Sequence, residues 1–333
     1  MRHQPNGMQA RGFSLIELMV ALTIAGLLIV GAVTMYSQSR TTYRAAEAAA
    51  RLQETARYAM SFIESDLRMA NFWGLNSRPD YIQTGGVTVN ACGTNWAIAL
   101  NQFAEGFNDA TDADAGVDKF QPGVDLTCVD ASDYLGGDVL VVRRAANDRE
   151  TGALVKNTLY LQTSRVQGTL FVAADSCSAT NESCLPSGYL PPQSETHRLL
   201  AHAYFISPDA NGRAGVPTLR RVRLITGPAV QQEEIIPGVE DLQLEFGVDQ
   251  DFNATAEYYV APGTPLPAGA RVVSVRVWLR VRSDDPDFQF LDDSTYSYAD
   301  VNYVPGATGN ENRYRRLLVS KTIQLRNTRY DET

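Results

Sequence analysis

Residues 12–39 read GFSLIELMVALTIAGLLIVGAVTMYSQS, and this stretch decides how the rest of the chain is read. Glu17 is the only charge between Phe13 and Ser39, and from Leu18 to Ser39 the run is uncharged for 22 residues. A helix of that length crosses a bilayer core of about 30 Å. Arg2 and Arg11 precede it with no acid among residues 1–12. That bias sets the short leader on the cytoplasmic side and the remainder outside that membrane. A cleaved secretory signal has an apolar region of only ~7–15 residues and a small-residue cut. This run is longer, and no A-x-A lies near its end. A plain signal anchor leaves Glu17 unexplained, because a lone ionisable side chain near the start of a spanning helix is costly.

Gly12-Phe13-Ser14-Leu15-Ile16-Glu17 resembles the processing motif of type IV pilins and type II secretion pseudopilins. The resemblance implies that a prepilin peptidase cuts between Gly12 and Phe13 and methylates the new N-terminal Phe13, making Glu17 the fifth mature residue. A buried carboxylate is tolerable when paired, and the ammonium of a neighbouring subunit's Phe13 is the implied partner. Such a pair would set axial register as subunits stack. Gly26 falls where many major pilins also have Gly, but Thr34 stands where many carry Pro. Proline removes a backbone donor, so the partial melting of major pilin helices loses its cause here.

Working outward, residues 41–74 contain no Pro and no Gly before Gly74. Ala45, Ala49, Leu52, Ala56, Ala59, Ile63, Leu67 and Ala70 recur at three- and four-residue spacing and so share one helical face. Arg44, Glu47, Arg51, Glu54, Arg57 and Glu64 occupy other faces. The pattern predicts a single helix from Phe13 to Ala70, with two helices and an unmarked break as the alternative. Its outer stripe must pack on something, most simply the chain's own globular part.

After Trp73 the texture changes to short segments bounded by Gly, Pro, Asn and Asp, which read as strands. The expected strands are 139–143, 158–162, 169–173, 199–206, 218–225, 239–248, 272–282 and 317–325. Leu242, Leu244, Phe246 and Val248 alternate with Asp241, Gln243 and Glu245, so the first set faces a core. Val273, Val275, Val277, Leu279 and Val281 do the same, and leave Arg276, Trp278, Arg280 and Arg282 on a face that is either solvated or a contact surface. Residues 207–217 are turn-rich and suited to closing a hairpin. A long helix followed by runs of strands gives an α+β class, a long N-terminal helix packed on a β-rich globular head.

Four blocks bring a narrower resemblance: ARLQETARYAMSFIESDLRMANFWG, PGVEDLQLEFGVD, RVVSVRVWLRVRS and the terminal RRLLVSKTIQLRN. They resemble segments of the PilW family of minor pilins, with the stretch from about Val87 to Leu200 looking individual. PilW-type proteins are similar in layout to the J pseudopilin of type II secretion. The resemblance implies a pilin-like fold and a low-copy subunit that primes type IV pilus assembly at the tip. Its implied partners are other minor pilins, the major pilin, the prepilin peptidase, the inner-membrane assembly platform and a tip adhesin.

The 333 residues are 44% hydrophobic and 20% charged, which excludes a disordered or collagen-like chain. A formal net charge of −9 argues against a general nucleic-acid binder, whose affinity rests on neutralising phosphates. Cys92, Cys128, Cys177 and Cys184 are an even set, expected to form disulfides outside the membrane. Three connectivities exist, and proximity favours Cys92–Cys128 with Cys177–Cys184. No C-x-x-C is present, and His197 and His202 are five apart, a poor spacing for zinc. Asp249, Asp251, Asn253, Thr255 and Glu257 place oxygens at alternate positions, as the front of a calcium loop does. Ala254 stands where such a loop has Gly, and Val260 where it has Glu, so a solvated acidic turn is the favoured reading. Asp112, Asp114, Gly116 and Asp118 form a vaguer second candidate. No hydrolase, nucleotide-binding or zinc-protease motif occurs, so no enzymatic activity is expected.

The expected organisation is a cleaved leader at 1–12, a membrane and filament-core helix at 13–39, an amphipathic stem at 40–73 and a β-rich head at 74–333. Before assembly the protein would sit in the inner membrane with its head in the periplasm, and afterwards at the pilus tip. The rival readings are a J-like type II secretion pseudopilin and a membrane-anchored adhesin or binding module.

Overall fold

A computed structural model describes residues 14–93, 95–108, 128–129, 132–181, 183–186, 188–189 and 192–328. Gly12, Phe13 and the acidic stretch at 112–118 lie outside the described residues. The chain divides into two units, 1–50 and 51–333.

Helix α1 (Leu15–Met69) is continuous, with no break. Nothing in its sequence removes a backbone donor, and Thr34 donates its hydroxyl to Gly31 O at 2.8 Å within the same turn. Within the first unit its apolar side chains point outward, Leu27 and Met35 each 75% exposed. A surface of that extent is stable only against lipid or other helices.

In the second unit the rest of α1 buries Leu52, Ala56, Ala59, Met60, Ile63, Asp66 and Leu67. The stripe read from the three-and-four spacing is therefore the packed face, with one charged residue in it. Each fully buried leucine or isoleucine there contributes roughly 1.5–3 kcal/mol.

The head contains two principal sheets. The larger runs β1 (Ile82–Gln83), β5 (Gly168–Val172), β4 (Leu159–Ser164), β6 (Ser194–Ser207), β3 (Gly136–Ala145), β2 (Ala104–Phe107). β7 (Thr218–Ile225) pairs with the second half of β6, and β8 (Ala229–Pro237) with β7. The turn-rich residues 208–217 do close the β6–β7 hairpin, with Ser207 opposite Thr218. The smaller sheet is antiparallel, in the order β10 (Tyr258–Val260), β9 (Val239–Asp249), β11 (Arg271–Arg282), β14 (Arg316–Gln324). A hairpin of β12 (Tyr296–Tyr298) and β13 (Val301–Tyr303) lies between β11 and β14 in the chain.

Alternation explains why one sheet serves two cores. On β3, Val139 and Val141 face a cluster with Trp73, Trp96, Leu161 and Phe205. Leu140 and Val142 face the other way, joining the stem, Leu242 and Leu244 of β9, and Val275, Val277 and Leu279 of β11. Strand β8 escapes the sequence reading because AVQQEEIIP shows no two-residue period. It is held by its ladder to β7 and by charge across it, Glu233 pairing with both Arg221 and Arg223.

Candidate functional site

The N-terminal turn of α1 is closed by its own side chains. Ser14 N–H donates to Glu17 Oε2 at 2.9 Å, and Glu17 N–H donates to Ser14 Oγ at 3.2 Å. This is a reciprocal capping box, satisfying two otherwise orphaned donors. Ser-x-x-Glu before an apolar run is a legible signal of it. Glu17 thus has a local role besides the assembly charge that the motif's resemblance implies.

Where α1 meets the head, Asp66 lies on the buried face. Its Oδ2 accepts hydrogen bonds from His202 Nδ1 and from the Tyr204 hydroxyl, each at 2.5 Å. Its Oδ1 accepts from Arg144 Nε and Nη2 at 3.1 and 2.9 Å. Burial by itself would raise the Asp66 carboxyl, but the His202 bond and the His202 and Arg144 charges outweigh it and hold the group well below the usual carboxylate range. Tyr204 is pushed far up by burial and by the Asp66 charge. The cluster fixes the stem to β3 and β6.

The arginine face of β11 is neither wholly solvated nor wholly a free contact surface. Arg280 and Arg282 are buried. Arg280 Nε donates to Glu240 Oε2 at 3.0 Å, and Arg316 on β14 reaches both Glu240 oxygens at 2.8 and 2.9 Å. From residues 283–315, Asp292 and Glu311 approach Arg316 at 3.4 and 2.9 Å, and the Tyr298 hydroxyl bonds Asp241. Glu240 and Asp241 of β9, joined by Asp292 and Glu311 from between β11 and β14, thus supply the counter-charges of this half. Burial acts to raise Glu240, yet the two arginines hold it below its ordinary value. The other half stays half-exposed: Arg276 lies 3.8 Å over the Tyr259 ring, 5.6 Å from that of Trp278 and 3.2 Å from Glu245.

The structure pairs Cys92 with Cys128 and Cys177 with Cys184. Cys92 belongs to the core that holds Trp73 and Trp96, while Cys177 closes a small satellite cluster with Tyr160 and Phe171.

Of the expected calcium ligands, Asp249, Asp251 and Glu257 bring carboxylate oxygens within 4.8 Å of one another. Each already takes a backbone donor. Asp249 accepts from Phe252 and Ala254, both at 2.8 Å, Asp251 from Asn253 at 3.1 Å and Glu257 from Gln250 at 2.8 Å. Asn253 Oδ1 in turn accepts from Thr255 N–H at 2.7 Å. The loop closes on its own donors, and Ala254 takes the left-handed conformation, φ 66°, where a calcium loop would use Gly. His197 Nδ1 lies 2.9 Å from Ala146 O, while His202 is committed to Asp66, so each histidine is tied into the sheet separately.

Residues 203–327 match the family described as Type IV Pilus-assembly protein W, PilW, and residues 7–33 match the prokaryotic N-terminal methylation motif. Among solved structures the chain is similar to a type IV-like pilin, TTHA1219 from Thermus thermophilus. That likeness has 16% identity and a TM-score of 0.24, over 54% of this chain and 86% of the other. No curated protein matches the chain.

Proposed function

We propose that the chain, whose residues 203–327 match the PilW family and whose residues 7–33 match the N-terminal methylation motif, acts as a minor pilin that primes pilus assembly at or near the tip. The observation that carries the reading is a methylation motif at the start of a long apolar helix, in one chain with a PilW domain. Cleavage at Gly12/Phe13 frees an ammonium next to the capped turn that holds Glu17. The exposed apolar first half of α1 rests in the inner membrane and then packs among other pilin helices in the filament core. The head, held to its stem through Asp66, lies in the periplasm before assembly and meets other minor pilins, and an adhesin, at the tip. Priming supplies the first stacked helices, so that later subunits leave the membrane onto a formed template. The family is structural, and no catalytic role is assigned to any residue.

Intact-mass and N-terminal analysis of protein from membranes and from sheared surface filaments tests this. The expected species begins at methylated Phe13, depends on the prepilin peptidase and is present in the filament fraction. An intact Met1, or a cut elsewhere, overturns it.

A further inference from the structure

The second half of the exposed run in the first unit carries a feature that stacking of pilin helices does not explain. Tyr36, Arg40, Tyr43 and Arg44 fall at i, i+4, i+7 and i+8, and so share one face of α1. The Arg40 guanidinium sits over the Tyr36 ring at 5.6 Å, folded back toward the apolar run. Both tyrosines are largely exposed, at 65% and 70%. Arg40 is the first charge after the 22 uncharged residues, and Glu47 is the acid that follows Arg44.

We propose that Tyr36, Arg40, Tyr43 and Arg44 form a headgroup belt that binds the phosphates of an anionic bilayer leaflet and sets the depth of α1 in the membrane. The inference rests on the reading of α1 as a membrane anchor. Its chemistry is that of interfacial anchoring: aromatic rings with a polar tip sit at headgroup level, and arginines donate to phosphate while their stems cover apolar surface. Charge complementarity selects the occupant, since Arg40 and Arg44 outnumber the single acid of the stretch and meet a surface rich in negative charge. The belt also fixes Glu17. Glu17 and Arg40 are 23 residues apart, which is about 34 Å along a helix, against a hydrocarbon core of about 30 Å. With Arg40 at one set of phosphates, the Glu17 carboxylate reaches the opposite interface rather than the apolar interior. In the resting protein it is hydrated and capped by Ser14, and its cost in lipid arises only when the subunit is drawn out.

The four native cysteines are all paired, so a cysteine introduced singly is the sole free thiol. Full-length protein in phosphatidylglycerol nanodiscs, with Leu18→Cys, Thr34→Cys, Ser39→Cys or Thr42→Cys, is labelled with a membrane-impermeant maleimide. Thr34→Cys is expected to be protected and Thr42→Cys labelled. Adding Arg40→Gln and Arg44→Gln lets the helix sink by about one turn, ~5 Å. Labelling at Ser39→Cys then falls and at Leu18→Cys rises. Identical profiles with and without the arginines overturn the belt. So does a shift that needs a second pilin, which would make an acidic neighbouring subunit the partner. Labelling of Thr34→Cys as fast as Thr42→Cys overturns instead the reading of α1 as an anchor.

Discussion

Asp66 on the stem and His202 on β6 stand 136 residues apart in sequence and meet at 2.5 Å, Oδ2 to Nδ1. Tyr204 and Arg144 complete the ring of donors, so one carboxylate ties the stem to two strands of the larger sheet. The bonds are internal to the unit beginning at Arg51 and require no other subunit.

Replacing Asp66 by Ala removes the acceptor of His202, of the Tyr204 hydroxyl and of Nε and Nη2 of the half-buried Arg144. Breaking a buried charged pair from one side costs about 3–5 kcal/mol. The variant is expected to melt at clearly lower temperature in detergent, with the loss concentrated at the stem. Hydrogen exchange of the amides of residues 59–67 reads it directly. Unchanged protection there would show that packing alone holds the stem.

The same carboxyl gives an acid limb to stability. Its folded value is depressed, so the stability it contributes is fully present above the ordinary carboxylate value of about 4. It is lost progressively as pH falls below that toward the depressed folded value. Tyr204 acts at the other end: its value is raised, so its contribution is present below about 10 and is lost as pH climbs further. Wild-type melting temperature is expected to fall below about pH 4, and in Asp66→Asn this part of the acid limb should flatten. Equal acid slopes in the two proteins would assign the limb to other carboxylates.

Glu17 has a local and an intersubunit role that two substitutions separate. Gln keeps the capping box, because its side-chain oxygen still accepts the Ser14 N–H, but carries no charge. Ala loses the charge and the bond from Ser14 N–H, while the residue 17 N–H still donates to Ser14 Oγ, at a cost of roughly 0.5–1.5 kcal/mol for the one bond lost. If the charge pairs with a neighbour's ammonium, both variants insert in the membrane and both are scarce in sheared pili. Recovery of Glu17→Gln at wild-type level would reduce Glu17 to a cap.

Much of this was legible because it is periodic. The stem face followed from three-and-four spacing, and the core sides of β9 and β11 from alternation. Asp66 was equally visible, three residues after Ile63 and four before Ala70, but a charged residue in an apolar stripe signals a partner without naming it. That partner comes from β6, which no local pattern connects to α1. The arginine face of β11 was open to two readings because its counter-charges are divided: Glu240, Asp241 and Glu245 of β9 meet Arg280 and Arg276, while Arg282 also turns to Glu311, in a segment without a repeating pattern. β8 was hidden because its stability lies in pairs with β7. The expected boundaries at residues 12, 39 and 73 rest on the motif and on charge.

The two disulfides close loops of different size and predict different losses. In the chain-entropy account, spans of 36 and 7 residues contribute about 4 and about 2.5 kcal/mol respectively. Cys92→Ser with Cys128→Ser should therefore lower the melting temperature more than Cys177→Ser with Cys184→Ser. The second pair of substitutions should loosen mainly the cluster around Tyr160 and Phe171. A reversed order would mean that the first loop is restrained by the surrounding core without its bond.

Arg316 offers the sharpest test of the buried charge cluster on the smaller sheet. Its side chain is fully enclosed, and the surrounding carboxylates belong to β9 and to residues 283–315. Arg316→Met preserves much of the apolar stem but leaves Glu240 with Arg280 as its near partner and Asp292 facing an uncharged side chain. Loss of one member of a buried set costs about 3–5 kcal/mol, more than the removed pair contributes, because the remaining charges stay desolvated. Coupling should reveal the arrangement. The double variant Arg316→Met, Glu240→Gln should recover part of that loss, since it removes charge from both sides of the pair. Strict additivity of the two losses, measured by denaturant unfolding, would mean that Arg316 is held by Glu311 and the backbone and that Glu240 answers to Arg280 alone.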